Sequence, residues 1–364
     1  MNTQDITDTI DRALDAAGLR PKGSKAGGGG VRDIIARALA AAGLTRTNPT
    51  GMAAPVRRAD RATPRPATGA RDDSAPSPGR FLSLTHVGEA GRRDYRLYVP
   101  AGAEGRALPV VLMLHGCRQN PDDFAVGTRM NEHAERHGFL VAYPAQTVRA
   151  NGSNCWNWFE PAQQGRAGEE PSVLAGIVGD IGHHHPVQAD RVFVAGLSAG
   201  AAMAVILGRT YPEVFAGVAA HSGLPVGAAS DVSSAFAAMQ GRGAAHDRRG
   251  HGGPRVRTIV FHGDADATVT SPNGEAIVTQ AVDAYARSGE PLRKLTRLDA
   301  VVGGRRCTTT EFTAASGEST MVEAWTVHGG AHAWYGGNPA GSFTDAAGPD
   351  ASSEIVRFFL GQPR

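Results

Sequence analysis

From Phe81 onward, short apolar runs alternate with segments of helical spacing. Pro109–His115 (PVVLMLH), Phe139–Tyr143 and Arg191–Ala195 are continuous runs, the pattern of strands buried on both faces. Asp94–Val99 alternates as an earlier strand, and Val214–Ala220 and Val256–Phe261 add further ones. Helical spacing is read over Asp122–His137, with Gly138 following, and over Ser172–Gly182, Ala199–Tyr211, Gly274–Ser288 and Ser352–Leu360. Leu292–Leu298, Thr308–Thr313 and Met321–Val327 read as late strands. Strand–helix alternation predicts an α/β domain over 81–364: a mainly parallel sheet with helices on both faces and ligands at the carboxyl ends of the strands.

The first eighty residues are different. Asp8–Leu19 (DTIDRALDAAGL) and Asp33–Leu44 (DIIARALAAAGL) match at nine of twelve positions. Ile6, Ile10, Ala13, Leu14 and Ala17 form one apolar stripe, and Val31, Ile35, Ala38, Leu39 and Ala42 repeat it. The expectation for 1–46 is two short amphipathic helices. They pack together or on the main domain, or they dock on an apolar surface. Residues 47–80 hold six prolines and almost no large apolar side chain, which predicts a disordered linker.

The 364 residues carry 37 Lys and Arg against 35 Asp and Glu. That balance gives no polyelectrolyte surface, so nucleic acid is not an expected partner. No apolar run nears the roughly 20 residues of a membrane span. The start carries Asp5, Asp8, Asp11 and Asp15 and lacks the cationic and apolar blocks of a secretory leader, so a cytoplasmic location is expected, with extracellular as the alternative. Three cysteines do not make a disulfide scaffold. His183, His184 and His185 are adjacent, and neighbouring side chains cannot all face one ion, so no metal and no cofactor are expected.

Gly196-Leu197-Ser198-Ala199-Gly200 fits G-x-S-x-G, directly after a buried strand and before an apolar helix. A sharp strand-to-helix turn lifts such a serine above the sheet, and any side chain at the glycines would strike the neighbouring strand and helix. A serine hydroxyl needs a base, and the base needs an orienting carboxylate. On this kind of sheet the order is Ser, acid, His. Asp264 and Asp266 both follow the strand ending near Phe261; Asp266, deeper in the loop, is the choice, and Asp264 is read as a turn residue. His328 and His332 both follow Met321–Val327; His332, in the Gly-rich loop, is the chosen base. Expected oxyanion donors are the N–H groups of Ala199, at a helix N-terminus, and of Cys117, in the loop after Pro109–His115. His115, His221 and His262 are expected to be hydrogen-bonded supports. Trp156, Trp158 and Trp334 fall on loops at the same end of the sheet. They either close the core or form an apolar wall for substrate, Trp334 being the preferred contact.

Six ordered motifs resemble the poly(3-hydroxybutyrate) depolymerase family of esterases, relatives of acetylxylan and feruloyl esterases. They are His115–Gln119, Cys155–Phe159, Gly196–Met203, His221–Pro225, His262–Asp266 and Ala331–Trp334. The resemblance runs from about Phe81 to the C-terminus. It implies an α/β-hydrolase fold and Ser198, Asp266 and His332 as a triad. It also implies that Cys117 and Cys155 lie close together as a candidate disulfide. The expected activity is cleavage of short-chain 3-hydroxyalkanoate polyester or its oligomers through an acyl-enzyme. Alternatives are a small-acyl esterase on substituted polysaccharide, an amide-cleaving relative of the same fold, and a polyester-granule-binding protein in which the repeat does the work.

Overall fold

The computed structural model describes residues 79–242, 253–314 and 319–361. The helical repeat and nearly all of the Pro-rich segment lie outside the described residues. The ordered domain opens one residue before the expected boundary, with β1 (Arg80–Gly88), which forms an antiparallel hairpin with β2 (Gly91–Val99).

A ten-stranded sheet follows. In chain order its other strands are β3 (Leu108–Leu114), β4 (Leu140–Pro144), β5 (Val187–Leu197), β6 (Gly217–His221), β7 (Arg257–Gly263), β8 (Leu292–Val302), β9 (Arg305–Ala314) and β10 (Thr320–Val327). Their spatial order is β1-β2-β4-β3-β5-β6-β7-β10-β9-β8. The run from β4 to β10 is parallel. The edges β1–β2 and β9–β8 are antiparallel extensions. A short pair, β11 (Trp334–Tyr335) and β12 (Thr344–Asp345), lies after β10.

The strands' period of two splits the core between the faces. Val110, Leu112 and Leu114 of β3, with Val192 and Val194 of β5, pack beneath α3 (Glu169–His184) and α4 (Ala199–Thr210). Val111 and Met113, with Phe193, Ala195 and Leu197, face α1 (Pro121–Thr128), α2 (Met130–His137) and α7 (Ala351–Leu360). Each of the Val, Leu, Met and Phe side chains contributes about 1.5–3 kcal/mol of burial, and Ala195 less. Burial on both faces is why these strands read as unbroken apolar runs. The remaining helices are α5 (Val232–Met239) and α6 (Pro272–Arg287). No helix among the described residues is long and apolar enough to cross a membrane.

Two local readings are corrected. The single helix expected over 122–137 is broken at Arg129, whose φ of 55° closes α1 and opens α2. Arginine carries no sequence signal for the left-handed conformation, unlike Gly138, which ends α2 at φ 71° as expected. Neither β1 nor α5 was foreseen; α5 starts at a capping box between Asp231 and Ser234.

Candidate active site

Buried β5 turns directly into α4 at Ser198. The serine is half-buried, with φ 57° and ψ −120°, a region that non-glycine residues rarely occupy. A Cβ on Gly196 would sit 2.4 Å from the Gly200 carbonyl, and one on Gly200 only 2.1 Å from Leu114 O. Both glycines are thus needed for the turn to fit against its own helix and against β3. The Ser198 N–H donates to His221 O at 2.9 Å, which fixes the turn to β6.

Asp266 follows β7, and His332 follows β10, the next strand in the sheet. Parallel pairing brings the two loops together, and His332 Nδ1 lies 2.7 Å from Asp266 Oδ2. The other carboxylate oxygen accepts from the Thr268 and Val269 N–H groups at 2.9 and 2.8 Å. Burial alone would raise the Asp266 pKa. The hydrogen bond and charge interaction with His332, with the backbone donors, outweigh burial and hold the carboxyl below its ordinary range. Among the described residues, neither Ser198 Oγ nor His332 Nε2 has a hydrogen-bond partner. The link from imidazole to serine therefore belongs to the proposal below.

The rejected pair also meets: His328 Nδ1 is 2.8 Å from Asp264 Oδ2, and the Gly329 N–H donates to Asp264 Oδ1 at 2.7 Å. Arg305 donates to Gly329 O and pairs with Asp345 of β12. These contacts brace the loop that carries His332.

The loop after β3 runs beside the serine. A Cβ on Gly116 would come within 3.6 Å of Ser198 Cβ. Cys117 is disulfide-bonded to Cys155, with Cα atoms 4.2 Å apart, just below the usual range of about 4.4–6.8 Å. The bridge joins the loops that follow the paired strands β3 and β4. The N–H groups of Cys117 and Ala199 have no acceptor among the described residues.

His115, His221 and His262 are hydrogen-bonded supports, as expected. His115 Nδ1 contacts Gly116 O at 2.8 Å, and burial lowers its pKa to about 4. His262 Nε2 contacts Val269 O at 2.7 Å. His221 accepts from the Tyr335 N–H at 3.3 Å. Burial also depresses His221 and His262.

The tryptophan wall is corrected. Trp156 and Trp334 are completely buried and Trp158 nearly so. Trp156 donates to His115 O, and Trp334 donates to Ser352 and stacks on His221. They close the core under the site loops, where indoles of this size find apolar packing and where Trp156 and Trp334 also find a partner for the N–H. Two buried residues near the site were missed: Gln146 and Glu170, which are hydrogen-bonded to each other. A lone Gln and Glu, far apart in sequence, gave no signal. Among the described residues no group of three or more His, Cys, Asp or Glu is gathered as metal ligands.

The resemblance expected from the motifs is matched by comparison with known proteins. Residues 93–289, more than half of the chain, match the family model described as Esterase PHB depolymerase. A poly(3-hydroxyalkanoate) depolymerase C from Paucimonas lemoignei is 31% identical over 272 residues, covering 71% of this chain and 63% of that protein. A feruloyl esterase B from Neurospora crassa is 32% identical over 211 residues, covering 52% of this chain and 71% of its own length. An acetyl xylan esterase from Aspergillus awamori superposes with a TM-score of 0.58 at 18% identity, covering 77% of this chain and 99% of that one, which supports the α/β-hydrolase fold. The chain belongs to the PHB depolymerase family of carboxylic ester hydrolases.

Proposed function

We propose that the protein is a serine esterase working through an acyl-enzyme, with Ser198, His332 and Asp266 as its triad. The observation that carries this reading is the buried Asp266–His332 pair, with His332 Nε2 unengaged, together with a serine held at positive φ. Ser198 Oγ attacks the ester carbonyl and forms the new C–O bond while His332 Nε2 takes the hydroxyl proton. The bond to the leaving alcohol then breaks, and that proton passes to the alcohol oxygen. Water repeats the sequence on the acyl-serine, releasing the carboxylic acid. Asp266 holds the imidazole in one tautomer and stabilises its charged form. The Cys117 and Ala199 N–H groups receive the oxyanion, each contributing about 10²–10³ in rate. No cofactor enters the scheme.

The substrate we favour is a short-chain 3-hydroxyalkanoate polyester or its oligomers, supported by the match to depolymerase C. The second reading, a small-acyl esterase on substituted polysaccharide, is favoured by the matches to feruloyl esterase B and acetylxylan esterase A. The Cys117–Cys155 bond favours an oxidising compartment, and so the extracellular alternative over the cytoplasm. The test is a panel of 3-hydroxybutyrate oligomers, amorphous polymer, acetylated xylan and feruloyl esters, run with wild type and Ser198→Ala. Serine-dependent release of 3-hydroxybutyrate units at the highest kcat/KM supports the first reading. Preference for acetyl or feruloyl groups transfers the assignment to the second. An effect on polymer that survives Ser198→Ala points to granule binding through 1–46 instead.

A further inference from the structure

Tyr335 of β11 has no part in the chemistry described above, yet both of its polar ends reach the site. The residue is fully buried. Its hydroxyl donates to Ala331 O at 2.7 Å. The hydroxyl oxygen is lodged between the loop that carries Asp266 and the loop that carries His332. A Cβ on Gly263, where β7 ends, would sit 2.2 Å from it, and one on Gly330 would sit 2.6 Å from it. Burial first, and then the negative charge on Asp266, push the phenol up from its ordinary value, so it stays a hydrogen-bond donor.

The backbone end of the residue is held as well. The Tyr335 N–H donates to His221 Nε2 at 3.3 Å, and the two rings pack with centroids 4.7 Å apart. A nitrogen that accepts a hydrogen bond is unprotonated, so neutral His221 carries its proton on Nδ1, which faces Ser222 Oγ at 3.2 Å. His221 O in turn accepts the Ser198 N–H at 2.9 Å. Tyr335 thus connects the turn at Ser198, through His221, with the backbone next to His332.

That backbone needs an outside anchor. Gly329 and Gly330 lead into Ala331, and Gly329 has a φ of 70°, so the approach to His332 has little stiffness of its own. Ala331 C=O and His332 N–H belong to one planar peptide. Whatever holds that oxygen fixes the peptide from which the imidazole departs. It thereby fixes how Nδ1 meets Asp266 and where Nε2 points.

We propose that Tyr335 is a positioning residue for His332: its hydroxyl, seated against Gly263 and Gly330, holds Ala331 O, and its N–H ties the same loop through His221 to Ser198. The inference rests on the esterase reading above. It gives a role to a side chain that makes and breaks no bond in the reaction. Loss of the hydroxyl lets the Ala331–His332 peptide turn, and the imidazole is then misaligned when the serine proton must leave.

The test compares Tyr335→Phe with Tyr143→Phe on a soluble ester. Each variant deletes the hydroxyl of a fully buried tyrosine and one hydrogen bond; that of Tyr143, on β4, goes to Asn131 of α2 at 2.8 Å. In Tyr335→Phe, kcat should fall about 10–100-fold with KM within about twofold, because a misaligned base slows the chemical step and leaves binding alone. Tyr143→Phe should lose stability and keep the wild-type kcat. A loss in Tyr335→Phe under about tenfold, a loss carried by KM, or an equal loss of kcat in Tyr143→Phe would overturn the inference while leaving the esterase reading intact. A wild-type chain without serine-dependent ester hydrolysis would remove the reading itself. Should Tyr335→Phe fail to fold, ¹H NMR of the wild-type chain decides. A Tyr335 hydroxyl proton that exchanges slowly with water and shows Overhauser contacts to the Gly263 and Gly330 α-protons supports the anchor. A hydroxyl proton in fast exchange, or one without those contacts, contradicts it.

Discussion

Asp264 Oδ2 lies 2.8 Å from His328 Nδ1, a carboxylate–imidazole pair that duplicates the 2.7 Å pair of Asp266 and His332 on the same two loops. Distance alone does not tell the two apart; their other partners do. The second nitrogen of His328 is taken up by the Thr308 hydroxyl at 2.9 Å, whereas His332 Nε2 is unengaged among the described residues. The Asp266 side chain is wholly enclosed, while that of Asp264 is 43% exposed. Only the His332 pair has a nitrogen available for a serine proton and a carboxylate shielded from water.

Substitution at the two aspartates should therefore have unequal effects. Asp266→Asn frees His332 to take the wrong tautomer and should lower kcat on a soluble ester by about 10⁴-fold. Asp264→Asn keeps an acceptor for the Gly329 N–H and should stay within about tenfold of wild type. Steady-state kinetics of the two variants decides, and the reverse ranking would transfer the acid role to Asp264.

The elbow glycines make a prediction about stability. Gly200→Ala drives a methyl into the Leu114 and His115 carbonyls, and backbone on both sides cannot yield. It should cost at least about 3 kcal/mol, the upper end of overpacking penalties. Gly179→Ala, inside α3 with nothing within 4 Å, should instead add roughly 0.5–1 kcal/mol by restricting the unfolded chain. Denaturant midpoints measured side by side check both, and equal responses would contradict the packing argument.

Stability should also fall on mild acidification. His115, His221 and His262 are held neutral by burial, His115 down to about pH 4. In the unfolded chain a histidine takes up its proton near pH 6.5. Between those values the unfolded state binds more protons, so each such histidine weakens the fold by up to about 1.4 kcal/mol per pH unit as pH drops below 6.5, and contributes nothing above it. The depressed carboxyls of Asp264 and Asp266 act at lower pH. Their stabilisation is present above the ordinary carboxylate value and is lost as pH falls through the depressed one. Midpoints recorded from pH 7.5 to 4.5 should decline, more shallowly in His115→Asn. A flat profile would contradict the buried neutral histidines.

The sharp strand-to-helix turn at Ser198 was legible because three local signals coincide: an apolar run ending at Leu197, glycines on both sides of Ser198, and an apolar helix after it. The choice of Asp266 and His332 over Asp264 and His328 rested on depth in the loop, and the structure adds what spacing lacks, namely which imidazole nitrogen is already occupied. Burial of the tryptophans was not legible, since the same residue on the same loop serves a wall or a core equally well. The His115–Gln146–Glu170 cluster was invisible because its members meet only after β3, β4 and α3 have assembled.

Reaction of the full chain with a fluorophosphonate, followed by peptide mapping, tests the central claim most directly. The account predicts a single adduct on Ser198, loss of ester hydrolysis in step with labelling, and a Ser198→Ala variant that folds as wild type with kcat lower by about 10⁴–10⁶. An adduct on another serine, or hydrolysis that persists in Ser198→Ala, would contradict it.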